Sequence, residues 1–215
     1  VHTFTSGGLT LPSMAIEVGN PEVPYYEMFA GCVAESMMFK MERSGPLQAE
    51  VGLVAQGSLG AASSAAVTVA TITLQRFGHF NGAIKRDGAS LASVVSAEFT
   101  YSNNLDRVEV IRADGKIDGL DPTIASLGGK LDVRFDSATL LAQAISGAPC
   151  ALEFSWTISA NVSLVLTAHA VYLPQPRRTI DGPKGIQVSF DWQAAKAVSP
   201  ARMFTAVLTN AVTSY

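Results

Sequence analysis

The chain has 215 residues, of which 48% are hydrophobic, 15% charged and 8% aromatic, whereas an ordinary globular domain carries roughly 25% charge. This composition excludes a disordered chain, which needs low hydrophobicity and high net charge, and it leaves much of the surface to small neutral residues or to other copies of the chain. A net charge of −3 supplies no global field toward nucleic acid or anionic lipid and disfavours a DNA-binding regulator.

The chain opens at Val1 and not at Met, so a preceding segment with any targeting signal remains an open expectation. Period-2 alternation, the signature of half-buried strands, first appears in Val33 to Glu42. There Val33, Met37, Phe39 and Met41 fall on one face, and Ser36, Lys40 and Glu42 on the other. Leu47 to Gln56 repeats the pattern, with Leu47, Ala49, Val51 and Leu53 inward and Gln48, Glu50 and Gln56 outward. Arg43-Ser44-Gly45-Pro46 supplies turn chemistry between the two runs, which together read as a β-hairpin. Met37, Met38 and Met41 are open to two readings, adaptable packing or a subunit interface.

From Val51 to Gln75 no residue is charged, a length that could span a bilayer. Gly57, Ser58, Gly60, Ser63 and Ser64 interrupt it, and it reads as strand, small-residue loop over Gly57 to Ala66, and a strand from Val67 to Gln75. Further strands are predicted at Gly78 to Arg86, Ser93 to Ser102 and Arg107 to Arg112. Around Leu131, Val133 and Phe135 another is predicted, with a wet face of Lys130, Asp132, Arg134 and Asp136. Asp136-Ser137 offers an N-cap, and Leu140, Leu141, Ala144 and Ile145 at helical spacing predict one helix near Ser137 to Ser146, stopped by Gly147 and Pro149. Strands resume at Ala151 to Ser159, Val162 to Leu173, Gly185 to Gln193 and Arg202 to Asn210. The pattern predicts an all-β chain with one flanking helix, an antiparallel sandwich or barrel, forming a single domain over residues 1–215.

Chemical signatures are sparse. His2, His79 and His169 are isolated, and no spacing suits a zinc site. No nucleophile elbow or phosphate loop occurs, and no cofactor is implied. Asp114, Asp118 and Asp121 lack calcium-loop spacing and read as a solvated turn. His169 reads as a satisfied core or interface histidine, and Cys32 and Cys150 as buried thiols in preference to a disulfide. Asn161-Val162-Ser163 matches a glycosylation sequon.

The run Phe29-Ala30-Gly31-Cys32-Val33-Ala34-Glu35-Ser36-Met37 resembles the aromatic, Gly-Cys, alternating-strand opening of the tail tube proteins of long-tailed bacteriophages. Tyr101-Ser102-Asn103-Asn104-Leu105-Asp106, Leu173-Pro174, Asp181-Gly182-Pro183-Lys184-Gly185 and Leu208-Thr209-Asn210 are similar in the same order. The resemblance implies a non-enzymatic virion protein with a tail-tube β-sandwich, assembled in the host bacterial cytoplasm. Its hexameric rings would stack into a tube that conducts double-stranded DNA without binding it specifically. Implied partners are further copies of itself, a tape-measure protein, a tail terminator and baseplate proteins, with no membrane.

A DNA conduit should be neutral or acidic, because a basic lumen would grip phosphate through counterion release. Residues 1–60 hold six glutamates against Lys40 and Arg43, a balance of −4, and the remainder is +1. Glu42, Gln48 and Glu50 are therefore expected to face the lumen, and Gly57 to Ala66, with Gly57, Ser58, Gly60, Ser63 and Ser64, to reach another subunit. The rival readings are a carbohydrate-binding or adhesin-like sandwich, a β-sandwich hydrolase lacking a paired nucleophile and base, and the tube protein of a contractile injection machine. Trp156 and Trp192 on apolar strand faces argue against the carbohydrate reading.

Overall fold

Residues 1–66, 74–135, 138–176 and 186–213 are described by the computed structural model. In chain order the strands are β1 (His2–Thr5), β2 (Met14–Asn20), β3 (Tyr25–Glu42), β4 (Gln48–Val54) and β5 (Gly57–Ala61). After a 3-10 turn at His79–Asn81 come β6 (Gly82–Arg86), β7 (Ala89–Ser90), β8 (Val94–Ser102), β9 (Leu105–Val108), β10 (Gly119–Pro122) and β11 (Ser126–Arg134). Helix α1 (Thr139–Ser146) precedes β12 (Cys150–Ser159), β13 (Val162–Tyr172), β14 (Gln187–Ala195) and β15 (Phe204–Thr209). The fold is thus antiparallel β with a single helix, as the alternation predicts.

One sheet runs β2-β3-β8-β11-β14-β13-β12-β6-β7, with β4 and β5 also paired to β3, and with β15 joining β1 to β13. The sheet folds over where, among the described residues, β13 touches β14 through three residue pairs, Ala170 to Tyr172. This sets a leaf of β3, β8, β11 and β14 against a leaf of β12, β13 and β15. Between the leaves Phe99 lies 5.7 Å from Phe154, 6.0 Å from Trp192 and 5.1 Å from Phe204, ring centre to ring centre. Trp156, Trp192, Phe99, Phe154 and Phe190 are almost completely buried, and burying each side chain contributes about 1.5–3 kcal/mol. Helix α1 closes the core with Leu140 and Ala144 and ends at Gly147, whose φ of 65° makes the left-handed cap.

Strand β3 changes partners along its length. Its first half pairs with β2 on one side and β5 on the other, and its second half with β4 and β8. The change falls at Gly31, which takes a φ of +64° that an L side chain rarely adopts. Strands β2, β3 and β5 therefore form a three-stranded arm outside the main sandwich.

Several expectations need correction. Residues 57–61 of the expected loop are strand β5, and only 62–66 lie beyond it. A bulge between Ala34 and Ser36 shifts the phase of β3, so that Ala34 opposite Leu53, and not Val33, continues the Met37 side. Leu47 packs on the core, but Ala49, Val51 and Leu53 are exposed. Residues 78–81 are a turn and not strand, and the strand expected at Arg107 to Arg112 runs Leu105–Val108. Most of Val67 to Gln75, the Asp136-Ser137 cap and Asp181 to Gly185 lie outside the described residues.

Candidate functional site

Registers across β4, β3, β8, β11 and β14 place one continuous polar face on the side of the sheet away from the aromatic core. Residues directly opposite one another in an antiparallel pair point to the same face, so each row can be read across the strands. One row is Gln48, Lys40, Glu98, Lys130, Asp191. A second is Glu42, Ser96, Asp132, Ser189, and a third Glu50, Met38, Thr100, Gly128, Gln193. The expected residues Glu42, Gln48 and Glu50 are all brought onto this face, and all three are exposed. With Arg134 opposite Gln187, the face holds five carboxylates (Glu42, Glu50, Glu98, Asp132, Asp191) against Lys40, Lys130 and Arg134.

Asp132 is the most fixed of these groups. Its Oδ2 accepts a hydrogen bond from Ser96 Oγ at 2.7 Å, and its Oδ1 lies 3.5 Å from Lys130 Nζ. Partial burial alone would raise its pKa, but hydrogen bonds from Ser96 and Ser189, together with Lys130, outweigh burial and hold it below the ordinary carboxylate value. A shallow hollow of about 230 Å³ lies among Lys40, Glu42, Glu98, Lys130 and Asp132.

The polar face is bordered by two strands whose outer edges carry no ladder among the described residues. Strand β4 pairs only with β3, and residues 187–192 of β14 pair only with β11. On the core side of β4, Val51 is 50% and Leu53 40% exposed. Open edges with uncovered apolar residues template pairing with another chain.

The arm is uncovered as well. Leu59, Val18, Tyr25 and Met14 are exposed on it, and three strands without a packed face are marginal alone. Of the residues expected to reach another subunit, Gly57, Ser58 and Gly60 lie in β5 opposite Ala30, Phe29 and Glu27. Ser63 and Ser64 follow the strand, and Ser64 is held within its own chain by the Glu17 carboxylate, which also accepts from the Ala65 backbone N–H at 2.7 Å. These two bonds, the hydroxyl first, lower the Glu17 pKa.

Elsewhere the bland readings hold. Cys32 and Cys150 are buried free thiols, and His169 Nε2 shares a hydrogen bond with Thr205 Oγ1 at 2.7 Å. Arg112 pairs with Asp114 and Asp118 in the connection between β9 and β10, whereas Asp121 lies outside that turn, in β10 opposite Asp106. Trp156 and Trp192 are 2% and 1% exposed, so neither offers a platform for a sugar ring. Sequence reading placed Lys40, Lys130 and Asp132 on wet strand faces but missed Glu98 and Asp191 as their neighbours. That adjacency depends on strand order, and no local pattern states it.

No curated protein sequence matches the chain. Among solved structures, the chain is similar to the tube-terminating cap of the anti-feeding prophage at 11% identity and a TM-score of 0.46, over 67% of this chain and 99% of that one. The sequence profile described as phage tail tube protein matches residues 3–194. An antiparallel sandwich with an uncovered arm and open sheet edges, matched over nearly its whole length by that profile, belongs to the phage tail tube protein family and is a structural component of a phage tail.

Proposed function

We propose that copies of this chain join side by side into hexameric rings, that the rings stack into the tail tube, and that the polar face of β4, β3, β8, β11 and β14 lines the channel for double-stranded DNA. The observation that carries this reading is the pairing of a continuous, net-acidic face with an open strand edge on each of its two borders. A head-to-tail contact between different edges closes into a ring when the rotation allows, and such closure removes the unpaired backbone groups of both edges. In the closed ring, the next copy covers Val51 and Leu53.

Five carboxylates against three cations suit a conduit, since duplex DNA carries one negative charge per about 1.7 Å and a basic wall would hold it. The arm, with apolar residues on both of its faces, is the element that reaches a neighbouring copy. In this reading the chain forms one domain, the tube assembles around a tape-measure protein in the host cytoplasm, and it meets a terminator at one end and baseplate proteins at the other. No helix among the described residues is long and apolar enough to cross a membrane.

Electron cryomicroscopy of the assembled protein tests the proposal. Glu42, Gln48 and Glu50 should line the inner wall of stacked rings. A map that puts them on the outer wall, or a protein that stays monomeric at high concentration, refutes it.

A further inference from the structure

The row across the middle of the polar face alternates in charge: Lys40 is directly opposite Glu98, Glu98 opposite Lys130, and Lys130 opposite Asp191. Directly opposed residues have Cβ atoms about 4.5–5.5 Å apart, which sets Glu98 between the two lysines, while the one close ion pair on this face among the described residues joins Lys130 to Asp132. The lysines differ in their other neighbours. Lys130 also has Asp191 opposite it and Asp132 Oδ1 at 3.5 Å, whereas the residue opposite Lys40 on its other side is the neutral Gln48. Glu98 is thus the one carboxylate directly opposed to Lys40.

We propose that Glu98 masks Lys40, and that this masking keeps the channel wall from gripping the phosphates of passing DNA. The inference rests on the channel-lining reading above and assigns Glu98 a task within it. Glu98 and Lys40 are both half-buried and form no close ion pair with each other, so the carboxylate acts on the field of the wall and not on the fold. Cyclic assembly would repeat this opposition around the channel, and without Glu98 each copy would present at the same height a Lys40 with Glu42 and Glu50 beside it but no carboxylate opposed to it. If as few as two of these lysines reach phosphates, retained DNA should be released about tenfold between 50 and 200 mM salt, because each neutralised phosphate adds about −0.9 to the logarithmic salt slope.

The test compares retention of a short duplex by assembled tubes of the wild type, Glu98→Gln, Glu98→Gln with Lys40→Gln, and Glu50→Gln. Glu50 lies on the same face opposite Met38 and borders Lys40 only diagonally, so E50Q removes the same charge and leaves the carboxylate directly opposed to Lys40 in place. The expected result is retention by E98Q alone, with the salt dependence given above. Equal retention by E98Q and wild type, or by E98Q and E50Q, overturns the masking. Glu98→Thr, which keeps strand propensity, is the second variant. Failure of both E98Q and E98T to assemble also overturns the proposal, since masking requires the wall to form without the carboxylate. A duplex blocked at both ends by bulky groups separates the two readings. If E98Q tubes hold the blocked duplex as well as the open one, Lys40 lies on the outer wall, and the channel-lining assignment falls while the masking stands.

Discussion

Val51 and Leu53 allow the assembly reading to be tested separately from the fold. Both lie on the core side of β4, in phase with Met37, yet they are 50% and 40% exposed. Burying a Val or Leu side chain fully is worth about 1.5–3 kcal/mol, so covering the remaining half of each adds about 1 kcal/mol, or about 2 kcal/mol per seam between copies. At 1.4 kcal/mol per tenfold, removing that contribution weakens each seam about 30-fold. In Val51→Lys with Leu53→Lys, two ammonium groups are placed where the next copy should dock, and each would have to be buried unpaired. In the lone protomer both positions are half-covered, and the aliphatic stems of the two lysines keep much of that contact, so the two changes together cost the fold about 1 kcal/mol. For a chain of this size that corresponds to a shift in Tm of about 2–4 °C. Sedimentation velocity should find the variant as protomers at concentrations where the wild type forms rings and tubes, with melting curves by circular dichroism that differ by no more than that shift. Tubes formed by the variant at the wild-type concentration would refute the seam, and a large fall in Tm would show that the residues belong to the protomer's own core.

Three further predictions follow from the protomer alone. At Gly129, a Cβ would overlap the Glu98 carbonyl and sit 2.8 Å from the Trp192 ring; Gly129→Ala should therefore cost about 1–3 kcal/mol by overpacking, seen by calorimetry as a Tm lowered by several degrees. Burial pushes the Cys150 thiol up to about 11, so at pH 8 about one molecule in a thousand is thiolate, and labelling of Cys150 in the native protein should be slow and should accelerate on unfolding. The Asp132 carboxyl has a folded pKa below its unfolded value. The stability it contributes is therefore present above the unfolded value and lost as pH falls through the folded one. Melting temperatures measured below about pH 4 should fall less steeply for Asp132→Asn than for the wild type.

How much of this was legible in the sequence depends on who covers each strand. In β11 the alternation of Leu131 and Val133 with Lys130, Asp132 and Arg134 gives the correct faces, because the chain's own second leaf supplies the dry side. In β4 the same alternation is just as regular, yet Ala49, Val51 and Leu53 face water in the protomer. Both strands obey one rule, that a period-2 apolar face ends up buried, and the rule names no burying partner. In β5, Gly57-Ser58-Leu59-Gly60-Ala61 has the composition of a loop, since Gly, Ser and Ala are poor strand formers. It is a strand because β3 lies beside it and the Tyr25 ring lies over Gly60, with Tyr26 over Gly19 on the other side of the arm. An aromatic ring over a glycine on the neighbouring strand supplies the packing that the glycine lacks. The residues at which sequence and protomer disagree, in β4 and β5, are therefore the ones whose pattern the chain's own sandwich does not satisfy, and in the proposed ring the strand that covers β4 belongs to the next copy. A sequence selected in an assembled wall carries the burial pattern of the wall. The exposed apolar side of β4 is the expected trace of such selection in a chain with 15% charge, where surface is left for neighbours to cover.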